Sequence, residues 1–290
     1  MLANGYAVAS VDYRLSGEAQ APAQIQDIKA AVRFLRANAS QYKLDPQRFA
    51  AFGQSAGGNL VALLGTSCGV EALEGTELGN ADQSSCVQAV VDWFGPTDFL
   101  QMDQQFAGTS CPANHDDANS PESQLVGAPI QTVPNKVELV NPITYVLAEA
   151  PPFLIQHGTA DCNVPPQQSQ LLYDALVSAI GADKATLTLL EGASHGGAQF
   201  SDAANMQLVL DFLATNLKSS ENGTLQHGCL WPPGRSDTWN RHDVRLAQQP
   251  SCCASLFVHD DAPTACSACR LSMGCQMRSP RLNPSISLQP

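Results

Sequence analysis

The stretch Arg48-Phe49-Ala50-Ala51-Phe52-Gly53-Gln54-Ser55-Ala56-Gly57-Gly58-Asn59-Leu60-Val61-Ala62-Leu63-Leu64 decides the fold. Residues 48–52 read as a short buried strand, and residues 58–64 as an apolar helix. Between them lies Gly-x-Ser-x-Gly. A serine on a sharp strand-to-helix turn needs small neighbours, and Gly53 and Gly57 allow the two elements to approach. Ser55 is therefore the candidate nucleophile. The N–H of Ala56, at the helix N-terminus, is the candidate donor to an oxyanion developing beside it. Without this context the motif would be only a glycine-rich turn.

Working outward, strands are expected over 6–11, 87–94, 153–157 and 186–190. Helices are expected over 22–39, 165–180 and 205–217. In the first helix, Ile25, Ile28, Val32 and Leu35 recur on one face of a 3.6-residue period, with Lys29, Arg33 and Arg36 off that stripe. Pro165 and Pro166 open the next helix and Gly181 stops it. Strand and helix in alternation predict an α/β fold with a mostly parallel, doubly wound sheet covered on both faces. Residues 100–141 lack clear periodicity and carry four prolines, so they read as an irregular, cap-like segment over the sheet.

A serine hydroxyl needs a base. His195, in Gly192-Ala193-Ser194-His195-Gly196-Gly197, follows the fifth expected strand, at the edge where ligands gather in such sheets. Asp161, in His157-Gly158-Thr159-Ala160-Asp161, follows the fourth at the same edge. The order Ser55, Asp161, His195 is the nucleophile, acid, base order of one large hydrolase class. Asp98 also follows a strand and is the competing acid, or else a helix cap. His157 reads as structural. His115, beside Asp116 and Asp117, reads as a surface loop, with a weak cation site as the alternative. Asp12 is expected to order its turn through Arg14.

The net charge of −12 argues against nucleic acid or an anionic membrane as partner, and no apolar run approaches a membrane span. Residues 1–218 hold nine Lys/Arg against 22 Asp/Glu; residues 219–290 hold six Arg against five acids. The cysteines divide likewise. Cys68, Cys86, Cys111 and Cys162 lie in the body, where they form either two disulfides, 68 with 86 and 111 with 162, or buried thiols. Disulfides would imply a secreted or periplasmic setting, although residues 1–10 carry no signal-peptide pattern. Six more cysteines lie in 219–290, a stretch without sustained period that is expected to be a low-order tail. Cys266, Cys269, Cys275 and His259 could suggest zinc, but lack the repeated close pair of a structural site.

Taken together, the chain resembles carboxylesterases of the α/β-hydrolase fold, especially the feruloyl-esterase-like (BD-FAE) group. The resemblance runs over nearly all of residues 1–218. It is carried by Gly5-Tyr6-Ala7-Val8 through Asp12-Tyr13-Arg14-Leu15, by Ile28 to Leu35, and by Gly53 to Gly58. It continues through Val91 to Asp98, His157 to Asp161, Val164-Pro165 with Gln168-Ser169, and Ser194-His195-Gly196. The resemblance implies hydrolysis of small-molecule or carbohydrate-linked esters, without metal or organic cofactor. Ser55 would attack, His195 would relay the proton, and Asp161 would orient His195. A serine peptidase of the prolyl-oligopeptidase type and an inactive scaffold are the alternatives. The family also places strands and a His-Gly-Gly oxyanion loop ahead of where this sequence starts, so an N-terminally incomplete chain is expected.

Overall fold

In the computed structural model the described residues are 1–217 and the backbone of 254–260 and 286–289. Their strands are β1 (Tyr6–Val11), β2 (Leu44–Gln54), β3 (Ala89–Trp93), β4 (Phe153–Gly158), β5 (Ala185–Leu190), β6 (Ala254–Asp260) and β7 (Ile286–Gln289). They form one sheet in the order β5-β4-β3-β2-β6-β1-β7. From β2 to β5 every pairing is parallel. β6 runs antiparallel to both β1 and β2, and β7 is antiparallel to β1. The four long helices are α1 (Ala23–Ala37), α2 (Ala56–Thr66), α3 (Gln167–Ile180) and α4 (Ala203–Leu217). None is long and apolar enough, among the described residues, to cross a membrane.

Side-chain alternation along the strands divides the core. Val90, Phe153 and Ile155 face α1, α2 and α3; Ala89, Val91 and Leu154 face α4. The α1 stripe of Ile25, Ile28, Val32 and Leu35 is fully buried on the first face. Each such side chain contributes about 1.5–3 kcal/mol by leaving water. The basic residues off the stripe are not all solvated: Lys29 and Arg33 are as buried as the stripe itself. Lys29 Nζ lies 2.7 Å from Glu74 Oε1, and Arg33 donates to the carbonyls of Glu74 and Gly75 at 2.7 and 2.8 Å. These bonds hold the excursion between α2 and β3, which the Cys68–Cys86 disulfide also closes. Burial works against the Glu74 carboxylate, yet the Lys29 hydrogen bond and charge hold it below its ordinary range.

Two differences from the sequence reading stand out. Residues 99–145 are only partly irregular: helices three to seven residues long flank a helix-free loop over 107–120. Pro121 and Pro134 each open one, Ser120 caps one by accepting from Ser123 N–H, and Gly127 ends it in a left-handed turn. Phe99, Met102, Val126, Ile130, Val137 and Val140 give this segment a small core of its own, joined by Val164. Segments so short cannot show a helical period over the window needed to see one. The region 219–290 also contributes β6 and β7, where only a low-order tail was expected. A strand of four to seven residues leaves little alternation to read. The rest of that region, including Cys229, Cys252, Cys253, Cys266, Cys269, Cys275 and the side chain of His259, lies outside the described residues.

Candidate active site

Ser55 sits between the last residue of β2 and the first of α2, with φ 55° and ψ −123°. A non-glycine residue in that region costs on the order of 1–3 kcal/mol and persists only where its surroundings over-determine it. Here they do. Ser55 N–H donates to Trp93 O at 3.0 Å, and Asn59 N–H donates to Ser55 O at 3.1 Å. Asn59 Nδ2 ties α2 to the loops beyond β3 through Pro96 O and Val140 O at 2.9 and 3.1 Å. A Cβ on Gly53 would stand 2.1 Å from Gly57 O, so the strand and helix touch through bare backbone. At Gly58 a Cβ would meet Asp92 Oδ1 at 2.4 Å and Gly95 Cα at 2.8 Å.

His195 closes on this serine. Its Nε2 is 2.8 Å from Ser55 Oγ and its Nδ1 is 2.7 Å from Asp161 Oδ2. With Asp161 ionised, Nδ1 carries the proton and the Nε2 lone pair faces the serine hydroxyl. The loop after β4 and the loop after β5 are bound together: Ala160 N–H donates to Ala193 O at 2.9 Å, and Gly192 N–H to Thr159 Oγ1 at 2.9 Å. The Phe94 ring packs on the imidazole with centroids 4.6 Å apart. Asp161 Oδ1 accepts from the N–H groups of Asn163 and Val164 at 2.7 and 3.0 Å. Burial alone would raise this carboxyl. Hydrogen bonds from His157 and His195, the charge of His195 and the Val164 N–H more than offset it and hold Asp161 well below the usual carboxylate range.

The competing candidates fall elsewhere. Asp98 is a cap: its carboxylate accepts from Leu100 N–H at 3.2 Å and from the Gln101 amide at 2.6 Å. Asp12 does not order its turn through Arg14. Arg14 instead grips Asp27 on α1, with its Nη2 2.7 Å from Oδ1 and its Nε 2.8 Å from Oδ2. His115 lies in the loop between Phe106 and Pro121, as expected, but its side chain is turned inward. It is 9% exposed, stacks on Phe106, and lies 3.2 Å from Glu122 Oε1. Burial opposes its protonation, but Glu122 and then Asp103 and Asp116 raise its pKa above the ordinary value.

Ser55, Ala56 and His195 open onto a cavity of about 700 Å³. Its far wall comes from the segment of short helices, including Phe99, His115, Glu122 and Leu125. The structure joins Cys68 to Cys86 and Cys111 to Cys162. The second bond ties that wall to the residue following Asp161. Sequence reasoning passed over Asp92, a wholly buried acid on β3 facing Gly58 and Gly95. Burial pushes its carboxyl up to about 6, opposed by the Gly95 N–H and neighbouring His157. Its Oδ2 has no hydrogen-bond partner among the described residues. A lone acid within an apolar strand was the available signal.

The chain is 31% identical over 196 residues to esterase LipC of Mycobacterium tuberculosis, covering 68% of this chain and 46% of that protein. It is 30% identical to esterase LipQ of the same organism, covering 67% of this chain and 44% of that one. It thus spans under half the length of these curated relatives. Among solved structures, a truncated form of a carbohydrate esterase from gut microbiota superposes with a TM-score of 0.64 at 38% identity, covering 71% of this chain and 72% of that one. A bifunctional GH43-CE protein of Bacteroides eggerthii gives a TM-score of 0.63 at 37% identity, covering 71% and 27%. The BD-FAE family model matches residues 1–176, from before β1 into α3. With that match across more than half its length, and with esterase structures sharing its sheet and helices, the chain has an α/β-hydrolase fold and belongs to the BD-FAE family.

Proposed function

We propose that the protein is a serine hydrolase that cleaves carboxylic esters through an acyl-enzyme. The observation that carries this reading is the continuous line of contacts Ser55–His195–Asp161, at 2.8 and 2.7 Å, opening onto the cavity. Ser55 Oγ adds to the ester carbonyl while His195 Nε2 takes its proton. The resulting oxyanion meets the N–H of Ala56, one of the unpaired donors at the start of α2. Collapse of the tetrahedral adduct breaks the ester C–O bond, and His195 returns the proton to the departing alcohol. Water, deprotonated by His195, then cleaves the acyl-enzyme and restores Ser55. Asp161 keeps the imidazole in the tautomer this relay requires and stabilises it when charged.

Residues 100–141 act as the cap that shapes the cavity and so sets acyl and alcohol preference. Short-chain, acetyl-sugar and feruloyl-type esters are the substrate classes. The carbohydrate esterases among the structural relatives support the second.

A fluorophosphonate probe and p-nitrophenyl acetate test the reading together. The wild-type chain should label and turn over the aryl ester; Ser55→Ala should do neither. A Ser55→Ala chain that labels as fast as wild type would overturn it. Preference for an aminoacyl amide over the aryl ester would redirect it to a peptidase.

A further inference from the structure

We propose that His157 is a positioning residue for the hydrolytic site, holding the Asp161 oxygen that orients His195. This rests on the reading of Ser55, His195 and Asp161 given above.

His157 is the penultimate residue of β4 and is fully buried. Its Nε2 faces two groups that can only accept: Val164 O at 2.9 Å and Asp161 Oδ2 at 3.2 Å. Nε2 must therefore carry a proton, shared between them. Its Nδ1 lies 2.7 Å from Ser169 Oγ, in the first turn of α3. With Nε2 protonated, the neutral ring accepts at Nδ1, so the Ser169 hydroxyl donates there. The acceptors at Nε2 thus select the tautomer, and the Ser169 hydroxyl, able to donate or accept, completes it at Nδ1 and anchors the ring.

Asp161 Oδ2 thus receives two imidazoles, His195 at 2.7 Å from the solvent side and His157 at 3.2 Å from the core. Oδ1 is taken by two backbone N–H groups. The carboxylate is pinned by donors from β4, from its own loop and from the loop after β5. Removing His157 leaves Oδ2 with His195 as its single side-chain partner, and only the Asn163 and Val164 N–H bonds to Oδ1 then resist rotation of the carboxylate about its Cβ–Cγ bond. Small misplacements of this kind are costly, because His195 must meet Ser55 and the leaving alcohol in turn. A purely space-filling role for His157 would be satisfied by any side chain of similar volume. A donor role would not.

Three variants separate these roles: His157→Leu, which fills the space without a donor; His157→Gln, whose amide can present an N–H toward Asp161; and Ser169→Ala. The readouts are kcat and KM for p-nitrophenyl acetate, normalised to the fraction of chains that a fluorophosphonate labels, the labelling rate itself, and Tm. The expected result is a fall in kcat and labelling rate of about 10–100-fold in His157→Leu with KM little changed. His157→Gln should recover most of that loss, and Ser169→Ala should fall between the two. Wild-type kcat in His157→Leu, or equal impairment of the Gln and Leu variants, would overturn the proposal. If His157→Leu does not fold, a His157→Gln chain that keeps the wild-type Tm but labels about 100-fold more slowly would overturn it instead. Failure of the underlying reading would look different: the wild-type chain itself would resist the probe.

Discussion

Gly53→Ala places the whole argument about the Ser55 turn under load. The added Cβ would stand 2.1 Å from Gly57 O, 2.4 Å from Gly57 C and 2.9 Å from Gly58 N. All three are backbone atoms, so no rotamer change relieves the contact. An ordinary van der Waals separation begins near 3.4 Å, so β2 and α2 must part by about 1.3 Å at this point. Overpacking of this sort costs about 1–3 kcal/mol, occasionally more. For a domain of this size that is a fall in Tm of roughly 2–12 °C. The same displacement carries Ser55 away from His195 Nε2, now 2.8 Å from its Oγ. A misplacement of about 1 Å at a reacting centre can cost on the order of 100-fold in rate. Thermal unfolding gives the first number, and the rate of fluorophosphonate labelling gives the second without needing a known substrate. Gly17→Ala is the control, since a Cβ there meets nothing within 4 Å; it should leave both readouts within error. A Gly53→Ala chain that melts within 1 °C of wild type and labels at the wild-type rate would refute the close backbone approach and the account of Ser55 built on it.

Glu74→Gln should destabilise the protein by about 3 kcal/mol, a fall of about 6–12 °C in Tm, because Lys29 and Arg33 keep their burial and lose their counter-charge; a melt within 2 °C of wild type would sink that account. Asp161 and Glu74 both have pKa values below their ordinary ones in the fold. Their contribution to stability is therefore complete above the unfolded carboxylate range and is lost as pH falls below about 4. Urea unfolding at pH 3 and pH 6 should show less stability at the lower pH, with the gap narrowed in Glu74→Gln. His115 carries the opposite sign. Its raised pKa makes its contribution complete below the unfolded histidine range and lost as pH rises through the folded value, and urea unfolding at about pH 5.5 and about pH 9 should show that alkaline loss diminished in Glu122→Gln. Replacing Cys111 and Cys162 by Ala releases a loop of 51 residues, against 18 for Cys68 and Cys86. Chain entropy assigns these about 4 and about 3 kcal/mol. Only the first replacement should also slow labelling of Ser55, since Cys162 follows Asp161; equal slowing by both would count against a link between the cavity wall and the acid.

The parallel part of the fold was legible because each element carries a period longer than its own uncertainty. Ile25, Ile28, Val32 and Leu35 name a helix face over a 15-residue element, and all four are buried as that face requires. The elbow was legible for a different reason: glycine at 53 is demanded by Gly57 and Gly58 close by in sequence, so its cause is local, whereas glycine at 58 answers to Asp92 and Gly95 after the neighbouring strand. Helices of three to seven residues between 99 and 145 offered no such window. Their ends are marked by Pro121, Pro134, Ser120 and Gly127, signals that say where a helix starts or stops without saying that one exists. The strand pairing of β6 between β1 and β2 was equally invisible, since nothing in seven residues names a partner more than 200 positions away.

The site divides along the same line. Ser55, Asp161 and His195 are drawn together at 2.7–2.8 Å from three loops at one sheet edge, and strand order alone predicts that edge. What strand order cannot predict is which way a neighbouring side chain turns. Arg14 lies two residues from Asp12 and thirteen from Asp27, yet Asp27 takes it, because α1 presents the Asp27 carboxylate to the Arg14 backbone N–H at 2.9 Å and to its guanidinium together. His157 was read as structural from its place at a strand end. Its place is as expected, but Val164 O and Asp161 Oδ2 face the same ring nitrogen only because the loop after β4 folds back over β4. A histidine at the end of a buried strand becomes informative once its acceptors are counted. Two acceptors on one nitrogen and a hydroxyl on the other leave one tautomer, and that tautomer points at the acid of the site.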